Sequence, residues 1–387
     1  MVRPGVKAIE NPYDQSGIAY LYIIERASLI LGDRDLQRPI VLISPLLATS
    51  ILNQAELIKK LLQQKGFDVL YKTTISTYDI RNDNVYATLW ISLCTIQHIG
   101  DAVWPFIYSR KPKAVYVTIE GIPTKANVLY SNLPKLAFIA NSNFTAMCLK
   151  DVGLTVIDVV HHAIDKDQCE AAMKAAEPLR KKFENQFKDK CKLLYVGRDD
   201  PRKALNYLAE AMRILIEKGR RDFVLILHAP KSVREKLQFL EDYGCLYYHG
   251  DFGSLPMIGV LRLMHACDYL VFPSRSEGFG LPVLEANAVA RPAIHCWFPP
   301  LSEFSSKDFN FVFDYIEERF VKCSGGQYWI FHEYLPEMLA DMIAWAIDIW
   351  KNSKQEYEEY CVKAKEHAWR WDYRIIYPRL LYYLGIK

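Results

Sequence analysis

The sequence predicts an α/β protein made of two doubly wound parallel sheets, and three observations carry this. Short apolar runs of strand length alternate with amphipathic helical stretches along nearly the whole chain. The alternation comes in two sets, separated by the charged helical stretch Lys166–Lys190. A length of 387 residues is long for one hydrophobic core and comfortable for two.

The first set opens on a strand candidate, Val6–Ile9, which Asn11-Pro12-Tyr13-Asp14 ends. Gly17 then precedes a helix over Ile18–Leu31. A strand, a glycine turn and a helix start suit an anion, and a simple N-cap by Ser16 explains the same residues equally well. Strands are expected at Ile40–Ser44, Phe67–Tyr71, Ala114–Ile119, Leu136–Ala140 and Val156–Val160. Helices are expected at Ser50–Lys65, near Ala87–Ile96 and at Asn143–Asp151. Parallel sheets bind ligands beyond the carboxyl ends of their strands, where Ser44-Pro45, His98 and Glu120-Gly121 fall.

The second set has strands at Cys191–Val196, Phe223–His228, Leu246–Tyr248, Tyr269–Phe272 and Pro292–His295. Its helices are Lys203–Lys218, Val233–Tyr243, Leu255–Ala266 and Pro336–Asn352, and an aromatic helix, Asp372–Leu384, ends the chain. The expected division is a first domain over residues 1–170, a linker over 171–190 and a second domain over 191–371.

Composition narrows the class. Hydrophobic residues at 51% and charged residues at 24% are those of a soluble globular protein. A net charge of +3 is too small to argue for nucleic acid, and the basic clusters read as solvated surface. Nine cysteines with no C-x-x-C pair signal neither a zinc site nor a disulfide framework. There is no signal-peptide pattern at the N-terminus, and no apolar run reaches the roughly 20 residues of a membrane helix. A cytoplasmic location is expected, with peripheral membrane contact left open.

The stretch most specific for function is Pro273–Glu285, P-S-R-S-E-G-F-G-L-P-V-L-E. The apolar run Tyr269–Phe272 stops at Pro273, Gly278 and Gly280 allow a tight path, and Pro282 suits the first turn of a helix to about Ala290. Such a loop turns N–H groups outward and adds the positive end of a helix dipole, which suits a diphosphate. Glu277 and Glu285 flank it with seven residues between them. Carboxylates accept hydrogen bonds from vicinal hydroxyls, so the pair fits a nucleotide-sugar.

This stretch resembles the E-x7-E signature of retaining GT-B glycosyltransferases of family 4 (group 1). A second motif, Tyr195-Val196-Gly197-Arg198 through Lys203, resembles the family's V-G-R-x-x-x-x-K-G. Ala204 stands where the family has glycine, a departure that a helix tolerates well. Asn141-Ser142-Asn143-Phe144 and Val159–Asp165 resemble the family's crossover signposts, with His161-His162 in place of the usual pair. The resemblance is specific over about residues 191–303, including Pro299–Glu303, and looser before that.

The resemblance implies a GT-B architecture, two Rossmann-like domains with parallel sheets facing across a cleft, and a final segment, 372–387, packed back on the first domain. It implies transfer from a nucleoside-diphosphate sugar with retention of configuration. Arg198 and Lys203 would stabilise the leaving diphosphate, Glu277 would hold the donor sugar, and Glu285 the ribose. Gly17, Phe252, Gly278, Phe279, Gly280 and Leu281 would complete the donor site. Where many relatives carry a histidine beside the donor sugar this chain has Glu120, so Glu120 and His98 are the sugar-side candidates.

No cofactor is expected beyond the donor itself, and the acceptor is a glycan, a lipid-linked group or a protein. Asp33-Arg34-Asp35 looks like the D-x-D of metal-dependent enzymes, but Gly32 reads as a helix C-cap, so no metal is expected. A catalytically silent scaffold and a nucleotide-sugar epimerase are the alternatives from other classes. Trp90, Trp104, Phe106 and Tyr108 suit either a glycan surface or the core, and core is the default.

Overall fold

A computed structural model describes residues 38–45, 48–72, 76–93, 107, 109–125, 128, 136–323 and 326–387. They form two compact units. The first runs to His161 and takes in Lys322–Tyr328 and Ile376–Lys387, and the second comprises His162–Val321 and Trp329–Ile375.

In the first unit the elements are β1 (Ile40–Pro45), α1 (Thr49–Gln64), β2 (Asp68–Tyr71), α2 (Thr77–Arg81), β3 (Val85–Leu93) and β4 (Lys113–Thr118). Then come the short β5 (Gly121–Pro123), β6 (Ala137–Ala140), α3 (Asn143–Asp151) and β7 (Thr155–Val159). Six of these strands make a sheet in the order β2-β1-β3-β4-β6-β7, with every pairing parallel. Ser142 starts α3 by accepting the Thr145 N–H at 3.0 Å.

The helix expected near Ala87–Ile96 is not what Ala87–Leu93 form: they belong to β3, which runs through the middle of this sheet, and residues 94–96 lie outside the described residues. Ala87, Leu89 and Ile91 are fully buried on one face, and Thr88 at 1% and Trp90 at 9% on the other. A strand covered on both sides reads as an unbroken apolar run, which periodicity alone cannot separate from a buried helix. Trp90 is therefore core.

The second unit begins with α4 (Lys166–Ala175) and α5 (Glu177–Gln186), so the expected linker over 171–190 is part of this unit's packed structure. Pro178 in the first turn of α5 separates the two helices, and Phe183 anchors α5 in the core. The elements that follow are β8 (Cys191–Val196), α6 (Leu205–Glu217), β9 (Phe223–His228), α7 (Lys231–Leu237), β10 (Leu246–Gly250), α8 (Met257–Ala266) and β11 (Tyr269–Phe272). Next are α9 (Leu281–Ala288), β12 (Ala293–Trp297) and β13 (Phe311–Asp314). The sheet order is β10-β9-β8-β11-β12-β13, again all parallel. Every residue of β8, β9 and β11 is buried, as expected of strands covered by helices on both faces.

Beyond the sheet come β14 (Glu317–Lys322), β15 (Gln327–Glu333), α10 (Pro336–Asn352) and α11 (Lys354–Ala368). The expected single helix at the end is two short ones, α12 (Tyr373–Ile376) and α13 (Pro378–Tyr382), because Pro378 cannot continue a helix. The last segment belongs to the first unit: Tyr377 donates to Gln54, and Asp158 takes Arg379 Nε at 2.6 Å and the Tyr383 hydroxyl at 3.0 Å. Among the described residues no helix is long and apolar enough to cross a membrane.

Candidate functional site

The motif residues of the second unit sit on two turns that leave neighbouring strands. β8 and β11 pair in parallel, Leu193 opposite Tyr269 and Leu194 opposite Leu270, so the turns at their carboxyl ends are adjacent. The turn after β8 is a single 3-10 turn, Pro201–Lys203, which Asp200 caps by accepting the Arg202 N–H at 3.1 Å. The turn after β11 is stitched to it: the Arg275 N–H donates to the Arg202 carbonyl at 2.8 Å.

Glu277 is the meeting point. Its Oε1 is paired with Lys203 Nζ and accepts from Ser274 Oγ at 2.6 Å, while Oε2 lies 3.1 Å from Arg202 Nη1. Arg202 also donates to the Ser276 carbonyl at 3.2 Å. Burial pushes the Glu277 carboxyl up, but the Lys203 and Arg202 charges and the hydrogen bonds from Lys203 and Ser274 outweigh it. Its pKa is lowered overall, and Glu277 is a carboxylate at neutral pH.

Gly280 has φ +94° and precedes α9, whose first turn holds Leu281 and Pro282. Glu285 lies on that helix, 9% exposed, and burial alone pushes its pKa up to about 7. The two glutamates therefore have opposite electrostatics. One is fixed as an anion by cations, and the other stands at the edge of ionisation with only burial acting on it.

Arg198 takes no part in the Glu277 cluster. It is exposed, its guanidinium lies 5.6 Å from the Phe252 ring centroid, and its carbonyl accepts from the Tyr195 hydroxyl at 3.1 Å. The Phe279 side chain belongs to the core, stacked on Phe304 at 4.9 Å, with the His162 ring edge-on at 5.2 Å. Only its backbone can serve a ligand. The Leu281 side chain is likewise buried. In the first unit Glu120 follows β4 and is half-buried. There His161 lines a groove with Asn143, Lys150, Asp158 and Arg379. Gly17, His98, Trp104, Phe106, Tyr108 and Asp33-Arg34-Asp35 lie outside the described residues.

Ala204 does not sit inside a helix. It has φ 49° and ψ 43°, a left-handed N-cap of α6, which is the reason a glycine suits this position. Sequence reasoning missed Arg202 and Ser274 as partners of Glu277. Both stood inside the quoted motifs, but as side chains with no assigned acceptor.

The sequence profile of the family described as "Glycosyl transferases group 1" matches residues 177–366. An uncharacterized glycosyltransferase 335 of Sulfolobus islandicus rod-shaped virus 1 is 31% identical over 283 residues, covering 72% of this chain and 82% of that protein. A glycosyltransferase structure from Rickettsia africae superposes with a TM-score of 0.68 at 15% identity, covering 91% of this chain and 99% of the other. Anabaena Alr3699/HepE, solved with UDP and glucose, gives 0.62 at 14% identity over 89% and 98% of the two chains. The relationship in sequence, spanning both turns of the Glu277 site, makes this chain a member of the group 1 glycosyltransferase family.

Proposed function

We propose that this glycosyltransferase works with retention of configuration and without a metal, moving a sugar from a nucleoside-diphosphate sugar to a glycan, lipid-linked or protein acceptor. The observation that carries the reading is the Glu277 cluster, with two cations on one carboxylate where a strand ends and a glycine turn begins. An ammonium has three donors and a guanidinium five, so Lys203 and Arg202 can keep Glu277 while offering N–H groups to a diphosphate. As the anomeric C–O bond breaks, negative charge grows on the departing phosphate oxygen. These cations and the amides of the Gly278–Leu281 turn would lower that barrier electrostatically. The same oxygen can take the acceptor's proton as the acceptor oxygen bonds to the anomeric carbon on the face the phosphate leaves, so no protein base is required. Glu277 would orient the donor sugar, Glu285 would accept from the ribose hydroxyls, and Phe252 with Arg198 would meet the remainder of the nucleotide. The solved complexes of Anabaena Alr3699/HepE with UDP, UDP-glucose, or UDP and glucose support a nucleotide-sugar as donor.

The test is a melting screen with UDP-, GDP- and ADP-sugars, followed by product analysis with the donor that stabilises. Stabilisation by one donor, an unchanged anomeric configuration by NMR and a rate indifferent to EDTA are expected. No donor stabilising the protein would remove the transferase reading, inversion would remove retention, and EDTA inhibition would remove metal independence.

A further inference from the structure

The cluster works only if two short turns from different strands keep a fixed offset, and one buried side chain spans them. Arg275 lies two positions before Glu277 and is 6% exposed. Besides its N–H bond to the Arg202 carbonyl, its Nη2 donates to the Pro201 carbonyl at 3.0 Å. Its carbonyl accepts the His332 N–H of β15 at 2.9 Å, and its Nη1 reaches Glu333 Oε2 at 2.6 Å. The guanidinium packs against the Tyr207 and Phe331 rings at 4.7 and 4.4 Å. Glu333 is held in turn by Arg319 Nε at 2.7 Å and the Tyr207 hydroxyl at 3.0 Å, and its pKa is lowered overall although burial opposes this.

We infer that Arg275 is a positioning residue for the transfer reaction, fixing the Arg202–Lys203 turn against Glu277 and touching the donor only through them. The inference rests on the reading of the site given above. The guanidinium is planar and rigid, and only such a fork reaches the Pro201 carbonyl and the Glu333 carboxylate together. A lysine has one ammonium on a flexible stem and can satisfy one of the two. Without the fork the Lys203 turn keeps its charges but loses its register, and a misplacement of this kind lowers turnover more than it weakens binding.

The experiment compares Arg275→Met, Arg275→Lys and Arg291→Met, measuring nucleoside diphosphate release from the stabilising donor below each variant's Tm. Arg291 is also buried, at 4%, but its guanidinium bonds the His265 and Ala290 carbonyls. Arg275→Met is expected to lose about 100-fold in kcat with a smaller rise in KM. Arg275→Lys should fall between it and the wild type, and Arg291→Met should lose stability but keep kcat. Wild-type kcat in folded Arg275→Met overturns the inference, as does an equal loss in Arg291→Met at matched stability. Should Arg275→Met not fold, Arg275→Lys decides alone, and wild-type kcat there overturns it. A wild type that releases no nucleoside diphosphate from any donor refutes the transfer reading itself, before any variant is compared.

Discussion

At Gly280 a side-chain carbon would lie 2.1 Å from Cδ2 of Leu301, so the residue that closes the glutamate turn has room for a hydrogen only. Its φ of +94° adds a second objection to any side chain. Leu301 is fully buried, and moving it disturbs a core that includes Phe304 and Phe279. Gly280→Ala is expected to cost about 3 kcal/mol or more, summing overpacking and the left-handed backbone. A melting curve reads this as a lower Tm. The donor-induced rise in Tm should shrink as well, because α9 carries Glu285.

Ala204 presents the converse case, a side chain where a glycine would fit. The left-handed conformation costs alanine about 1–2 kcal/mol. Ala204 is also fully buried, so removing its methyl forfeits about 0.8 kcal/mol, and the greater freedom of glycine in the unfolded chain costs about 0.4–1 kcal/mol more. These terms offset, so Ala204→Gly should lie within about 1 kcal/mol of the wild type. Ala204→Val adds β-branching at positive φ and should cost about 3 kcal/mol. Urea midpoints at unchanged m-value test both.

Much of this was legible in the sequence because local chemistry and tertiary role agree there. Cys191–Val196, Phe223–His228 and Tyr269–Phe272 are bounded by turn residues and fully covered, and their observed ends match the expected ones. The failures have specific causes. The strand Val85–Leu93 overlaps the helix expected near Ala87–Ile96, because a doubly covered strand has no alternation to display. The β14–β15 pair was missed because Glu317–Lys322 is largely exposed and charged, without the apolar signal of a core strand. At the site, the motif spacing brought out Lys203 and Glu277. It could not say that Arg202 rather than Arg198 shares the carboxylate, since that depends on which way a single 3-10 turn faces.

Lys203→Met tests whether the cluster is an electrostatic unit. The substitution leaves Glu277 buried, with Arg202 and Ser274 among the described residues to support its charge. Breaking one side of a buried pair is expected to cost about 3 kcal/mol, and the Glu277 pKa should rise because burial is then opposed by less. Adding Glu277→Gln removes the stranded charge, so the double variant should be more stable than the sum of the single effects. Turnover should fall about 100-fold or more in Lys203→Met. Additive stabilities in the cycle would show that the pair does not interact.

Glu285 makes the pH dependence predictable in sign. Its folded pKa of about 7 exceeds the ordinary 4.5, so the folded protein holds this proton more tightly than the unfolded chain does. That stabilisation is fully present below about pH 4.5 and is lost as pH rises through 7, a total on the order of 3 kcal/mol. Glu285→Gln is neutral at every pH, so it should melt near the wild type at low pH and above it under alkaline conditions. Donor binding should respond in the opposite sense. Ribose hydroxyls donate to a carboxylate, which accepts at both oxygens, and a protonated carboxyl offers less. Wild-type affinity should therefore fall as pH drops through 7. The diphosphate charge acts against ionisation of Glu285, but Lys203 and Arg202 would neutralise much of it. Binding near neutral pH should thus release a proton, and titration calorimetry in buffers of different ionisation enthalpy counts it directly. A binding enthalpy independent of buffer would mean that the donor hydroxyls do not meet Glu285, and the assignment of that carboxylate to the ribose would have to be abandoned.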